Sequence, residues 1–301
     1  MAVPQVAAPP GVRVKRRGRS WKGWQFVGPF MLVFAFVFLA PIAYTIYLSL
    51  YRNQLVGGNS FVGLDNYTKA LQDSQFWSAL GRVSLFLVVQ VPIMLALALI
   101  VALAIDSGRL YGKAFFRVSI FLPYAVPAVV ATLMWGFMYG NQFGLVKNIN
   151  DWLGTALDPL APNIVLASIG NIVTWEFIGY NMLILYSALA TVPTSLYESA
   201  EIDGASQMKI ITAIKLPAIR GAITIATIFS VIGSFQLFNE PSILRPLAKN
   251  AITTFFTPNL YASSLTFAGQ QYNYAATVAI IMALVTMVIA YIVQLRGSRN
   301  R

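Results

Sequence analysis

The chain of 301 residues is 57% hydrophobic and only 10% charged, with a mean hydropathy of +0.68, whereas about 25% of an average soluble domain is charged. This composition predicts an integral membrane protein. Cysteine and histidine are absent, so neither an enzyme, a metal site nor a cofactor is expected. The net charge of +11 does not favour nucleic acid, because the basic residues cluster beside apolar runs and no basic helix with interleaved aromatic residues occurs.

The N-terminal stretch is rich in proline and basic residues and lacks a hydrophobic face. It predicts a disordered basic cytoplasmic tail over residues 1–25. A basic stretch before an apolar run resembles a signal peptide, but the run at 26–50 is too long for a signal core and no small-residue cleavage site follows it. We therefore expect an uncleaved first transmembrane helix at 26–50.

A helix needs roughly 20 residues to cross a hydrocarbon core about 30 Å thick. Five further apolar segments are close to this length. They lie at 83–105, 118–139, 164–191, 221–239 and 275–295. The sequence thus predicts an all-α integral membrane protein with six transmembrane helices. The outer connections at about 51–76, 140–163 and 240–274 carry no globular pattern. No phosphate-cradling glycine loop occurs either, so any ATP-driven transport would need a separate ATP-binding chain.

Basic residues are distributed unequally between the two sides of these spans. With the N-terminus in the cytoplasm, 15 lysines and arginines fall on the inner side and 5 on the outer side, while Arg82 is left at the outer mouth of the second span. Cytoplasmic loops carry an excess of Lys and Arg. Both termini and the polar loop at 193–220 are therefore predicted to be cytoplasmic.

The polar loop at 193–220 contains the stretch YESAEIDGASQMKIITAIKLP. Ser195 followed by Glu198 fits a capping box, which would start a short helix at Leu196. Gly204 would break this helix, and Asp203 would cap a second short helix. That second helix is expected to run to about 214, before the Leu-Pro pair at 216–217 redirects the chain into the fifth span.

Such a loop has two interpretations. It is an ordinary capped connection, or it is a surface that docks on a partner. Its length of nearly 30 residues favours docking, because helix connections in bundles usually have 2 to 8 residues. Ile210, Ile211 and Ile214 also offer apolar surface beside the charges.

The spacing of this loop resembles the cytoplasmic EAA loop of permease subunits in binding-protein-dependent ABC importers, written E-A-A, three residues, G, nine residues, I-x-L-P. Ser199 replaces the middle alanine here. In that family the loop inserts into a cleft on the ATPase subunit. The resemblance therefore implies a set of ATPase-coupling residues: Glu198, Ala200, Asp203, Gly204, Ala205, Ile214, Leu216 and Pro217.

The resemblance extends over roughly 80–295 and is strongest to carbohydrate permeases of the maltose-permease type, in FLPYAVPAVVATLMWGFMYGNQFG and LYESAEIDGA. It implies the MetI-like fold of type I ABC importers, with a transmembrane core at 80–296. It also implies a permease of the bacterial inner membrane that imports a di- or oligosaccharide by alternating access. The implied partners are a second homologous permease in a heterodimer, two ATP-binding subunits, an extracellular or periplasmic sugar-binding protein and membrane lipid.

Glu176 is an acid about midway through the fourth predicted span. An ionisable group there is costly and is a functional candidate by default. The alternative is a structural acid paired with Arg82 or with a partner subunit. Aromatic and polar residues nearby offer the ring faces and hydroxyl partners that a sugar needs, although such residues also serve helix packing. These neighbours are Trp175, Phe177, Tyr180, Ser230, Ser234, Gln236 and Asn239.

Resemblance to the maltose permease places the transport site at Tyr124, Ala128, Val173, Glu176, Phe177, Tyr180, Ser230, Ser234 and Leu237. Seven of these are the predicted substrate-binding residues: Tyr124, Glu176, Phe177, Tyr180, Ser230, Ser234 and Leu237. Only Tyr124, Tyr180 and Ser230 keep the side chain of that permease. The carboxylate of Glu176 is new there, and it would either accept several sugar hydroxyls or favour a cationic or amino sugar.

Three other functions fit the sequence less well. One is the same type of importer carrying another polar solute, such as an amino sugar or glycerol phosphate. A phosphate cargo is disfavoured because spans three to five contain no Lys or Arg within the membrane to bind it. An ion-coupled secondary transporter would need coupling sites and usually inverted repeats. A membrane enzyme would need acid–base or metal-binding residues that the sequence lacks.

Overall fold

The structure is a computed structural model that describes residues 22–54, 58–108 and 110–298. A disordered tail was predicted at residues 1–25. Residues 1–21 lie outside the described residues, and from Lys22 onward the chain is helical. Within the described part, the fifteen α-helices are α1 (Lys22–Phe34), α2 (Ala40–Ser49), α3 (Asp65–Gln72), α4 (Ser74–Asp106), α5 (Lys113–Phe121), α6 (Ala128–Met138), α7 (Leu145–Leu153), α8 (Val165–Leu189), α9 (Thr194–Ile202), α10 (Gln207–Ile210), α11 (Leu216–Ala218), α12 (Arg220–Phe235), α13 (Asn239–Leu244), α14 (Pro258–Phe267) and α15 (Tyr272–Ser298). Shorter elements complete the description: π-helical turns at Ala35–Leu39 and Ile211–Lys215, a 3-10 turn at Leu122–Ala125, and an antiparallel hairpin of β1 (Tyr51–Gln54) and β2 (Gly58–Phe61).

Five helices of the described chain are long and apolar enough to cross a membrane. They are Gly23–Ser49, Ser74–Asp106, Val165–Leu189, Arg220–Leu244 and Tyr272–Gly297. Each overlaps a predicted span, which confirms the helical membrane fold. The third predicted span, at 118–139, consists of two helical pieces, Lys113–Ala125 and Ala128–Met138, bent by 95°.

Two prolines account for this bend. Pro127 starts α6, and a residue before proline avoids the helical region because of the proline ring. Val126 accordingly has φ −79° and ψ 130°, an extended conformation. Pro123 lies at the start of the 3-10 turn, where its missing N–H costs no helical hydrogen bond. The apolar composition predicted a span correctly but did not show that the prolines divide it.

The first unit of the chain extends to Thr45. It contains α1, the π-helical turn and the start of α2. The most apolar stretch of its helix buries no residue within the described chain. A helix that is apolar all round and exposed on every face suits contact with lipid.

The second unit begins at Ile46 and is a helix bundle. α4 packs along α8, while α12 packs against both α4 and α15. Ala98 and Ala102 of α4 are fully buried. Small residues at this spacing allow two membrane helices to approach closely.

One end of this bundle brings together residues that are distant in sequence. Ile105 near the end of α4, Leu189 at the end of α8 and Ile219 before α12 share one buried cluster. The loop at 193–220 starts and finishes at this end. We call it the Asp106 end, after the last residue of α4.

The fifth span was predicted at 221–239, but its first helix ends before residue 239. α12 stops at Phe235, and Phe238 has φ −146° and ψ −48° before α13 begins at Asn239. After the break, Leu237 packs in one buried cluster with Phe86 of α4 and Ile172 of α8. This break contributes to the candidate site.

Candidate functional site

A cavity of about 380 Å³ lies between α4, α8, α12, the start of α13 and the bent third span. Six of the seven predicted substrate-binding residues line it, together with Ala128 and Val173. The six are Tyr124, Phe177, Tyr180, Ser230, Ser234 and Leu237. Glu176 is not among the lining residues. The structure thus brings together side chains from three predicted spans, and their contact with a substrate remains a prediction.

One wall of the cavity is aromatic. The rings of Tyr124 and Tyr180 stack with centroids 4.9 Å apart and an interplanar angle of 20°. Phe177 meets Tyr124 edge-on at 5.7 Å. Tyr124 sits in the 3-10 turn before the bend, so the prolines of the third span place this ring against α8. Trp175, by contrast, packs edge-on against Trp135 at 5.9 Å and does not line the cavity.

Gly179 of α8 allows the backbone of the third span to contact α8 next to the aromatic side chains. At Gly179, an added Cβ would lie 2.1 Å from the carbonyl oxygen of Ile120 and 2.6 Å from Cα of Phe121. No other residue fits at this distance, so the backbone of the third span is in direct contact with α8. Tyr180 follows Gly179 immediately and is positioned by the same contact.

Polar side chains also line the cavity. Ser230 and Ser234 lie one turn apart on α12, and the hydroxyl of Ser234 donates to the carbonyl of Ser230 at 2.8 Å. Gln90 of α4 donates from Nε2 to Oγ1 of Thr174 at 3.2 Å. Asn181 of α8 donates from Nδ2 to the carbonyl of Phe177 at 3.1 Å. Its Oδ1 is buried and has no hydrogen-bond partner in the described part of the chain.

Sequence reasoning missed several lining residues. Gln90, Asn181 and Glu240 line the cavity, whereas Gln236 and Asn239 had been noted as polar neighbours. Gln90 and Asn181 are polar side chains inside otherwise apolar spans, a signal that could have found them. Glu240 lay in what was read as an outer connection, and only the break after α12 brings it to the cavity.

Two acids, Glu176 and Glu240, are buried in this part of the bundle. Glu176 is 4% exposed and Glu240 is 7% exposed. Oε2 of Glu176 has no hydrogen-bond partner within the described residues, and Glu240 lines the cavity whereas Glu176 does not. The alternative that pairs Glu176 with Arg82 is wrong. Arg82 instead donates to the backbone carbonyls of Phe255 and Phe256, at 3.2 Å and 3.4 Å.

The loop at 193–220 forms two short helices around Gly204, but its predicted caps were wrong. α9 begins at Thr194, with Pro193 in the N-cap position and no side-chain cap. Ser195 therefore lies inside the first turn, where its hydroxyl cannot cap the helix. Asp203 ends α9 rather than starting the next helix, and Ser206 caps α10 by accepting from the N–H of Lys209 at 3.4 Å.

The exposed surface of this loop also differs from the prediction. Ile210 is only 2% exposed and belongs to the bundle, so it cannot dock on a partner. Ile202 and Met208 instead present apolar side chains, at 86% and 68% exposed. The predicted coupling residues divide accordingly. Glu198, Asp203 and Gly204 are exposed, whereas Ala200, Ala205, Ile214, Leu216 and Pro217 are half-buried.

A buried ion pair ties this loop to α4. Nζ of Lys215 lies 2.5 Å from Oδ2 of Asp106 and 4.6 Å from the centroid of the Tyr197 ring. Burial, together with the charge of Asp106, raises the pKa of Tyr197 above its usual value. The three side chains join α4 to both arms of the loop.

Residues 74–299 match the family of binding-protein-dependent transport system inner membrane components, and the chain belongs to that family. This confirms the resemblance inferred from the loop and identifies a transport component of the inner membrane. The chain is 32% identical to the lactose transport system permease protein LacF of Rhizobium radiobacter, over 93% of this chain and 94% of LacF. It is 31% identical to the diacetylchitobiose uptake system permease protein NgcF of Streptomyces coelicolor, over 89% of this chain and 80% of NgcF.

Solved structures agree on the fold. A bacterial ABC transporter involved in the import of the acidic polysaccharide alginate contains a chain that matches with a TM-score of 0.80 at 21% identity. The match covers 93% of this chain and 96% of that one. The fold is therefore that of an ABC importer permease.

Proposed function

We propose that this chain is the transmembrane permease subunit of an ATP-driven ABC importer, and that it translocates a di- or oligosaccharide delivered by an extracellular or periplasmic binding protein. The observation that carries this proposal is the cavity lined both by aromatic rings and by polar side chains. The C–H faces of a sugar pack on rings, while its hydroxyls need paired donors and acceptors. The relatives named for lactose and diacetylchitobiose transport support the same class of cargo.

The substrate-binding residues follow from this chemistry. The stacked rings of Tyr124 and Tyr180 offer a face for a pyranose ring, with Phe177 closing the edge. Ser230 and Ser234 of α12 provide hydroxyls in the same cavity, and Leu237 adds an apolar contact. Glu176 stands behind this surface rather than on it.

The loop at 193–220 is proposed to couple the permease to an ATPase subunit. Its exposed Glu198 and Gly204, with the apolar Ile202 and Met208, form a surface available to a partner. The Lys215–Asp106 pair then connects a movement of this loop to α4, which lines the cavity at Gln90. ATP-driven closure of two ATPase subunits would in this way switch the cavity between the two sides of the membrane.

The assembly around the chain is part of the proposal. A single chain of this kind provides half of a translocation pathway, so a second homologous permease is expected, forming a heterodimer. Both termini and the coupling loop are placed in the cytoplasm, which the excess of 15 inner over 5 outer basic residues supports.

The test is sugar-stimulated ATP hydrolysis by the complete complex in liposomes, with the binding protein present. Tyr180→Ala should reduce stimulation by the transported sugar about tenfold, because it removes one ring of the stacked pair. Tyr272→Ala, at a half-exposed tyrosine that does not line the cavity, should behave as wild type. Failure of every sugar in a broad panel to stimulate hydrolysis would refute the carbohydrate assignment.

A further inference from the structure

Helix α7 lies between the third span and α8, and it is amphipathic. Its apolar residues fall at positions i, i+4, i+7 and i+8 of a helix and therefore share one face: Leu145, Ile149, Trp152 and Leu153. The two charged residues of the helix, Lys147 and Asp151, lie on the opposite face and form an ion pair. One side of α7 is thus suited to an apolar environment and the other to water.

Most of the apolar face is uncovered in the described part of the chain. Trp152 is 84% exposed, Leu153 is 55% exposed and Leu145 is 49% exposed. No residue of α7 is buried, although Val146 packs at the edge of the buried cluster that contains Val165 of α8. Exposed apolar side chains that lie together, unlike scattered single ones, mark an interaction surface.

The start of α7 is held against the end of a membrane-spanning segment. Gly144 precedes the helix with φ +110°, and an added Cβ there would lie 2.1 Å from the carbonyl oxygen of Phe137 and 3.1 Å from Cα of Met138. Phe137 and Met138 are the last residues of α6, the second piece of the third span. Leu145 therefore follows directly from a contact with the last turn of that span.

The chain after α7 is held against the start of the next span. The side chain of Asn150 donates to the carbonyl of Leu157 at 2.8 Å and accepts from its N–H at 2.9 Å. The carbonyl of Pro159 then accepts from Oγ of Ser168, in the first turn of α8, at 2.7 Å. Because α8 finishes at the Asp106 end, α7 lies at the opposite end of the bundle, beside the ends of two membrane-spanning segments.

This position indicates what the apolar face contacts. The boundary between lipid and water lies at the ends of spans, and tryptophan is enriched there because its ring is apolar while its N–H remains free to bond to water. A helix with Trp and Leu on one face and charged residues on the other lies in the plane of such a boundary.

A binding protein fits the same face less well. It has to leave after each delivery of cargo, and the interfaces of transient complexes are no more apolar than the rest of a protein surface. Trp152 and its apolar neighbours would return to water in every cycle. Lipid, by contrast, covers them permanently.

We propose that α7 is an interfacial helix, with Trp152, Leu153 and Leu145 inserted among the lipid head groups and the upper acyl chains at the end of the bundle opposite the Asp106 end. The Lys147–Asp151 pair then faces water. This contact anchors the end of α6, which packs against α13, and the first residues of α13 line the cavity. The inference goes beyond the proposed function and holds for any cargo.

The test measures how deep the apolar face lies in the bilayer. The chain contains no cysteine, so a nitroxide spin label can be attached to one introduced cysteine. Leu153→Cys places the label on the apolar face and keeps Trp152, whereas the control Asp151→Cys places it on the polar face. Both are measured in the complete complex, in liposomes of phosphatidylethanolamine and phosphatidylglycerol. Subtraction of the signal from identically treated wild-type complex removes any label on the partner chains.

Two reagents report the surroundings of the label. Oxygen dissolves in the bilayer, whereas a nickel chelate stays in water. The ratio of oxygen to nickel collision rates should be at least about threefold higher at residue 153 than at residue 151, because an interfacial helix buries its apolar face about 5–10 Å into the boundary between head groups and acyl chains.

The fluorescence of Trp152 gives a second measurement that needs no cysteine. The emission that distinguishes the wild-type complex from Trp152→Phe should be quenched by lipid brominated in the upper part of its acyl chains, and little by aqueous iodide. This readout keeps the inference testable if a labelled variant does not assemble.

A high collision ratio at residue 153, a low one at residue 151 and quenching by brominated lipid support the inference. Equal ratios at the two positions, with quenching by iodide, would place the face in water and overturn it. Poor access of both reagents to residue 153 would show that the second permease covers the face, which also overturns it. Nickel access that is lost only when the binding protein is added would assign the face to that protein instead. None of these outcomes depends on sugar-stimulated ATP hydrolysis, so the proposed function stands or fails separately.

Discussion

Nζ of Lys215 lies 2.5 Å from Oδ2 of Asp106, and the two side chains are only 8% and 12% exposed. The two residues are 109 positions apart in the chain. Asp106 is the last residue of α4, where the partial negative charge at a helix C-terminus opposes a carboxylate. Lys215 therefore offsets an unfavourable charge and also fastens the coupling loop to the helix.

Removal of one partner of this pair should be costly. Lys215→Met leaves Asp106 buried without a counter-charge, and we expect a loss of about 3 to 5 kcal/mol in the free energy of unfolding. The double variant Lys215→Met/Asp106→Leu should recover most of that loss. Thermal unfolding of the purified complex, arranged as a double-mutant cycle, measures the coupling energy. Additive effects of the two single changes would show that the pair contributes no stability.

The double variant also tests the mechanical role of the pair. It should remain folded but hydrolyse ATP with little sugar uptake, because the loop is no longer tied to α4 by charge. The readout is the number of ATP molecules consumed per sugar transported in liposomes. A ratio equal to that of the wild type would limit the pair to a structural role.

Gly179→Ala should disrupt the aromatic wall. The new methyl group would lie 2.1 Å from the carbonyl oxygen of Ile120, a backbone atom that cannot move aside cheaply. We expect a stability loss of about 1 to 3 kcal/mol or more and weaker sugar binding, since Tyr180 is displaced from Tyr124. Gly81→Ala is the matched control, because nothing lies within 4 Å of its added Cβ. Equal melting temperatures for the two variants would contradict the close contact of α8 with the third span.

Substitution of Gly204 should separate backbone strain from docking. Gly204 has φ +76° and no atom within 4 Å of an added Cβ. Val in this left-handed conformation costs about 1 to 2 kcal/mol, whereas Asn tolerates it better. We expect both variants to insert into the membrane and to lose sugar uptake, with stability lowered mainly by Val. Gly154→Val, at φ +64° in another open position, should keep uptake, and normal transport by Gly204→Val would refute the docking role.

Asp73 should make stability depend on acid pH. Burial alone would raise the pKa of this carboxyl, but hydrogen bonds from Tyr261, Tyr274 and the backbone N–H groups of Gln75 and Phe76 outweigh it and lower the pKa. A lowered folded-state pKa means that the stabilisation is present above the unfolded pKa of about 4 and is lost as pH falls through the folded pKa.

The size of this effect is small, on the order of 1 kcal/mol or less, because water screens a half-buried carboxylate. Asp73→Asn should flatten the dependence of melting temperature on pH between about pH 5 and 3. Asp151→Asn serves as the comparison, because Asp151 forms an exposed ion pair with Lys147. The same slope in wild type and Asp73→Asn would exclude Asp73 as its source.

The sequence anticipated much of the cavity but not its chemistry. Tyr124, Tyr180 and Ser230 were expected to lie together because of the resemblance, and they line one cavity. Glu176 was placed on the surface of that site, yet it lies behind it. Glu240 was assigned to an outer connection, since nothing local in the sequence shows that α12 stops at Phe235 and turns the chain inward.

For the loop at 193–220 the sequence also predicted some features and missed others. Its spacing identified the family, and Gly204 was correctly expected to separate two helices. The predicted capping box failed because Pro193 takes the N-cap position, two residues before Ser195, which was expected to be the cap. Ile210 was assigned to a docking face but is buried, because rotation of a short helix about its axis depends on what it packs against.

Apolar segments, their lengths, the excess of basic residues on one side and the spacing of the loop motif are local properties of the chain. The sequence by itself therefore determined a helical membrane protein of the importer family. Packing between helices decides which helix face turns inward, how the third span bends at its prolines, and which distant charges meet. Only the tertiary structure brought Glu240 and Asn181 to the cavity and Lys215 to Asp106, because burial of each charge or amide is decided by neighbours from other parts of the chain.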